Sequence, residues 1–155
     1  MADSGAALRL WLLSSSYLKS LAYSPESLIM WTKNQHRLQD AYVAASLGGA
    51  GEGMAPELEQ AIYDLKTSFV TALDDNLDLA HFWPNLFAFA KTINARAGKL
   101  TAAEARLVAE QLLACDRVLG FLDHSRLPLS AGNWPREAAE LVRRREEARK
   151  AKNFV

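Results

Sequence analysis

Cysteine occurs once in 155 residues, at Cys115, and a lone thiol excludes an internal disulfide framework and any cysteine-rich zinc cluster. It fits a reducing compartment, and a cytoplasmic location is expected. Histidine is scarce too. His36, His81 and His124 fall on separate predicted segments, and none sits in a metal-binding spacing such as H-E-x-x-H. No metal site is expected. No apolar run approaches the roughly 18 residues that a membrane span requires. The apolar stretch over 6–13 contains Arg9, lacks a basic leader and runs into Ser14, Ser15 and Ser16, so it reads as a mature helix, not a signal peptide. Net charge is also missing: 18 Lys and Arg balance 18 Asp and Glu, leaving no overall excess to attract nucleic acid or an anionic membrane. Finally, no segment alternates with period two, so no strand is expected.

The remaining pattern is helical, and the length suits about one domain. A short helix is expected over about 6–17, with Ser4 as its cap and Leu8, Trp11, Leu12 and Tyr17 on its apolar side. Ser24-Pro25 then supplies a cap followed by proline at the first helical position, where a missing N–H costs nothing. Behind it, Leu28, Trp31, Gln35, Leu38, Tyr42 and Ala45 recur three and four apart on one stripe. The glycine cluster over 47–54 reads as a flexible surface connection; no Lys-Ser or Lys-Thr pair follows it, so it is not a phosphate-binding loop.

Pro56 opens a third helix whose buried face is expected to carry Leu58, Ile62, Leu65, Phe69 and Ala72. The acidic turn Asp74-Asp75-Asn76-Leu77-Asp78 precedes an aromatic segment in which Pro84 either kinks a helix capped by Asp78 or marks a later start. Thr101-Ala102-Ala103-Glu104 is a capping box, opening a helix with Ala105, Val108, Leu112, Cys115 and Leu119 inward and Gly120 as its left-handed end. A last, strongly charged helix is expected after Pro135. The predicted fold class is all-α, an antiparallel bundle of five to six helices.

Catalysis has little to draw on. Adjacent Asp74 and Asp75 on a turn point differently, and Cys115 belongs to an apolar stripe where a thiol stays inert. The charge distribution says more than the total. Residues 52–85 hold seven acids and one base, a net of −6, whereas residues 136–155 hold seven bases and four acids, a net of +3. Such a basic helix either neutralises phosphates or is a solvated face with Glu140, Glu146 and Glu147 supplying neighbouring ion pairs.

Three segments in order carry a resemblance. Ala7-Leu8-Arg9-Leu10-Trp11-Leu12-Leu13-Ser14 followed by Tyr17, Leu21 and Tyr23-Ser24-Pro25-Glu26-Ser27-Leu28 resembles the stretch of cysteinyl-tRNA synthetases just after their ATP-binding signature loop. Phe69, Ala72-Leu73-Asp74-Asp75-Asn76-Leu77-Asp78, Leu86-Phe87 and Ile93-Asn94 resemble the same family's helical tRNA-binding DALR domain, and residues 143–154 resemble the helix that closes it. Ser16 and Leu18 stand where that family usually has histidine and arginine, and Pro84 comes later than the family's proline.

The resemblance implies a helical segment over 1–24 from the end of the catalytic core and a DALR-like anticodon-binding bundle over 25–155, truncated at its C-terminal end. It implies tRNA, specifically the cysteine tRNA, and the catalytic domain of the same parent chain as partners, with no role for DNA or membrane. ATP and zinc are implied for the full-length parent and no cofactor for this chain, which lacks the HIGH-like and KMSKS-like signatures and should not aminoacylate alone. The expected phosphate contacts are Arg143, Arg144, Arg149 and Lys152. Two other readings stay open at this point: a stand-alone interaction module that offers the stripe around Trp31 and Leu38 to a partner helix, and a fragment of a related cysteine ligase.

Overall fold

The computed structural model describes residues 5–49 and 51–124, which form five α-helices: α1 (Gly5–Leu13), α2 (Pro25–Ser46), α3 (Pro56–Asp74), α4 (Phe82–Ala95) and α5 (Ala102–Leu119). None is long and apolar enough to cross a membrane. The charged helix expected after Pro135 and the Ser4 cap lie outside the described residues.

Local chemistry sets most of the boundaries. Ser24 Oγ accepts from the Ser27 N–H at 3.2 Å and Pro25 begins α2, as the Ser-Pro pair predicts. Pro56 begins α3 in the same way. Pro84 falls in the first turn of α4, where the backbone N–H would lack an intrahelical partner anyway, so α4 is a late start and not a kinked helix. Asp78 does not cap α4: its carboxylate accepts from the Ala80 N–H at 3.1 Å and closes the turn before it. Asn76 and Leu77 turn the chain with φ of 51° and 58°, a left-handed backbone that Asn tolerates and Leu rarely adopts.

Helices α2 to α5 form a four-helix arrangement in which α4 lies between α2 and α3, and α5 touches α2 and α3 on the other side. Helices α3 and α4 are adjacent and antiparallel, with Phe69 against Phe82 at 4.9 Å between ring centroids. Helices α2 and α5 are also antiparallel: Gln35 in α2 reaches Phe121 beyond the end of α5, while Gly48 beyond the end of α2 lies against Ala105 at its start. Because the 47–55 connection crosses the end of the bundle, α2 and α4 run side by side in the same direction, Trp31 meeting Trp83 and Arg37 meeting Asn94. A Cβ at Gly48 would overlap the Ala105 side chain, so the crossing needs glycine there.

Within the core, Leu38, Leu58, Leu65, Phe82, Leu86, Phe89, Ile93, Leu112 and Phe121 are almost wholly buried. The stripe Trp31, Gln35, Leu38 and Ala45 is the inside of α2, so it is not a free surface for a partner helix. On α5, all five expected inward residues are buried, and Gly120 has φ 62° with its N–H on the Asp116 carbonyl at 2.7 Å.

Helix α1 packs on α2 and touches α5, and here the expected face is only partly met. Trp11 is buried, but its companions are Ala7 and Leu10, whereas Leu8, Leu12 and Tyr17 face outward and the helix stops at Leu13. The reason is length: over nine residues an almost uniformly apolar sequence has no polar face to fix its rotation, so packing and the bond from Arg9 Nη1 to the Gly120 carbonyl at 3.0 Å decide it. Leu10 is 0% exposed and Leu12 54%. Leu10→Ala should therefore cost about 2–5 kcal/mol in urea unfolding and Leu12→Ala under about 1 kcal/mol; equal costs would contradict this rotation.

Candidate functional site

Four polar side chains are buried among the described residues, Gln35, Gln39, Glu104 and Asp116, and they occupy the two ends of the bundle. At one end Glu104, 1% exposed, closes the capping box: Thr101 Oγ accepts from the Glu104 N–H at 3.1 Å, and Glu104 Oε2 accepts from the Thr101 N–H at 2.9 Å. Its other oxygen, Oε1, accepts from the Ala55 N–H at 2.9 Å, and Arg96 Nη2 donates to both oxygens at 2.9 and 3.2 Å. Ala55 is the cap of α3 and Arg96 the cap of α4. One carboxylate thus joins the starts of α3 and α5, where helix dipoles favour negative charge, to the end of α4, where they favour Arg96.

Burial alone would raise the Glu104 pKa, but the backbone N–H groups of Thr101 and Ala55 and the Arg96 guanidinium outweigh it and hold the carboxyl below the usual range. At the other end, Gln35 Nε2 donates to the Phe121 carbonyl at 3.1 Å, Gln39 Oε1 accepts from the Asp123 N–H at 2.9 Å, and Asp116 Oδ1 accepts from the Leu122 N–H at 2.7 Å. These bonds fasten the chain beyond α5 to α2. His124 Nε2 lies 2.8 Å from Asp116 Oδ2.

These buried groups hold structure and leave none poised for chemistry. Burial, with the neighbouring Asp116 charge, pushes the Cys115 thiol up to about 12, so it is not a thiolate nucleophile near neutral pH. Among the described residues, no three His, Cys, Asp or Glu side chains gather as metal ligands.

The surface is electrically divided. Between α3 and the turn before α4 lies a cavity of about 340 Å³ lined by Asp64, Asp75 and Asp78 with Thr67, Thr71 and His81. Its carboxylates repel phosphates. The seam between α2 and α4 is opposite in character. There the Arg37 guanidinium stands 5.6 Å from the Phe87 ring centroid, its Nη1 donates to Asn34 Oδ1 at 3.5 Å, and the Arg37 carbonyl accepts from Asn94 Nδ2 at 3.1 Å. Lys33 is one turn before Arg37 and Lys91 one turn after Phe87, all three bases are exposed, and α4 contains no acid.

The phosphate contacts expected from sequence, Arg143, Arg144, Arg149 and Lys152, lie outside the described residues. Sequence reading missed the seam because its three bases are far apart in the chain and form no run. The one available signal was Lys33 and Arg37, four apart on the polar side of an otherwise well-marked stripe.

No family model matches the chain. Individual proteins do, along nearly all of it. It is 29% identical over 154 residues to a cysteine–tRNA ligase of Caldicellulosiruptor saccharolyticus, 31% over 157 residues to one of an Exiguobacterium species, and 33% over 159 residues to one of Thermus thermophilus. Each match takes in 96% of this chain and 32% of the relative. The described all-helical bundle therefore resembles a portion of aminoacyl-tRNA synthetases. Within that class the chain is similar to part of the cysteine–tRNA ligases, and it spans about a third of the length of the relatives it matches.

The buried carboxylate makes stability depend on pH. Glu104 has its pKa lowered in the folded state, so its contribution is complete above the ordinary carboxylate pKa and is lost as pH falls through the lowered folded value. Glu104→Gln should cost about 2–3 kcal/mol at pH 7 and flatten the acid limb of urea midpoints measured from pH 7 to pH 3; an unchanged acid limb would show that the carboxylate is not the group responsible.

Proposed function

We propose that this chain is the tRNA-binding helical domain of a cysteine–tRNA ligase-like protein, positioning tRNA while a separate catalytic domain attaches cysteine with ATP. The observation that carries this reading is the match to cysteine–tRNA ligases over 96% of the chain. The ordered segments from Ala7 through the acidic turn to the 143–154 stretch support the finer assignment to a DALR-type, anticodon-binding bundle. In that assignment residues 1–24 come from the end of the catalytic core and the bundle begins at Pro25.

The chemistry asked of the chain is modest. Arg143, Arg144, Arg149 and Lys152 bind phosphates and fix orientation, while base identity is read mostly by other parts of the protein. Arginine suits this because its planar donors match phosphate oxygens two at a time. The packed core supplies a platform: the buried side chains of Gln35, Gln39, Glu104 and Asp116 are each tied to backbone, which holds the helices that carry surface charges in place. ATP and zinc belong, in this reading, to the rest of such a ligase, in the cytoplasm.

Titration of labelled cysteine tRNA and a non-cognate tRNA at low and moderate salt tests the proposal. Affinity should fall steeply with salt, and replacing Arg143, Arg144, Arg149 and Lys152 together by Gln should lower the log–log salt slope by about 3. Absence of binding to either RNA at low salt would overturn it.

A further inference from the structure

We infer that the seam between α2 and α4, built from Lys33, Arg37 and Lys91 around Phe87, is a second surface that grips the tRNA backbone; this rests on the tRNA-binding reading above. Charge is the first argument. The three bases are exposed, α4 brings no acid to the seam, and the acid nearest in α2, Asp40, makes no ion pair with Lys33 or Arg37. The bundle's acids are instead concentrated on α3 and the turn that follows it, which line the other side of α4. A polyanion approaching the described residues is therefore turned toward the seam and away from α3.

Preorganisation is the second argument. Arg37 is held over Phe87 and braced by Asn34, leaving its exposed guanidinium edge oriented before any ligand arrives. Phe87 is itself fixed against Trp31 and Trp83, at 6.0 and 6.2 Å between ring centroids. The two helices run in the same direction, and Asn94 Nδ2 donating to the Arg37 carbonyl ties them together, so the backbone positions that carry the bases on both are set relative to one another. Lys33 and Arg37 are separated along the axis by about 6 Å, one helical turn. In addition, the buried Trp83 Nε1 has no hydrogen-bond acceptor among the described residues, an orphan donor within the same aromatic cluster. Arg37, held in this way, meets a phosphate with little further ordering of its side chain, while the exposed Lys33 and Lys91 supply charge one turn to either side. Such contacts carry no sequence preference.

The test uses the whole chain carrying Lys33→Gln, Arg37→Gln and Lys91→Gln together, with Lys66→Gln on the acidic helix as control and thermal melting to confirm folding. The seam variant should bind cysteine tRNA at least 10-fold more weakly at low salt, with a log–log salt slope lower by about 2–3, while the control stays within twofold. Lys33→Gln with Lys91→Gln, which leaves the Arg37–Phe87 contact intact, should give an intermediate loss. Arg37→Lys, which keeps the charge, should retain most of the affinity. Wild-type binding with an unchanged seam variant would overturn the seam alone; a wild-type chain that does not bind would remove the reading beneath it as well.

Discussion

Glu104 is the point on which the bundle turns. Its carboxylate accepts from Thr101, Ala55 and Arg96, so the start of α5, the start of α3 and the end of α4 are held at one buried point. A buried charge is stabilising only when its hydrogen-bonding capacity is filled, and here four donor contacts fill it. The dipoles of α3 and α5 both point their positive ends at the same group. Neutralising it removes support from three helices together.

The opposite end is fastened by different chemistry with the same effect. Gln35 and Gln39 are presented inward by α2 to satisfy the backbone of the chain leaving α5, and Asp116 fastens that chain from its own side. Between these ends the core is aliphatic and aromatic. Helix order then follows: the 47–55 connection crosses one end, setting α2 beside α4, and that neighbour relation creates the basic seam. Lys33 and Arg37 share a surface with Lys91 only because α2 and α4 run side by side.

Much of this was legible in the chain, and the exceptions are physical. Ser24-Pro25, Pro56, the Thr101–Glu104 box and Gly120 each act within one helical turn, so sequence spacing alone exposes them. The α2 stripe was plain because it spans about five turns, and even its polar member Gln35 proved buried. Helix α1 was misread because nine mostly apolar residues leave rotation to tertiary packing. The reach of Glu104 to Ala55 and Arg96 was invisible, being a consequence of which helix ends meet. The seam was hidden for the same reason, whereas the bases that form a run in sequence, among them Arg143, Arg144, Arg149 and Lys152, lie outside the described residues.

In the proposed function, an electrically divided bundle holds tRNA by its basic side. Backbone chemical-shift mapping of the labelled chain during addition of cysteine tRNA tests this most directly. Among residues 5–124, the largest shifts should fall around Lys33, Arg37 and Lys91, with α3 from Pro56 to Asp74 essentially unmoved. Shifts centred on α3, or none anywhere at low salt, would contradict it.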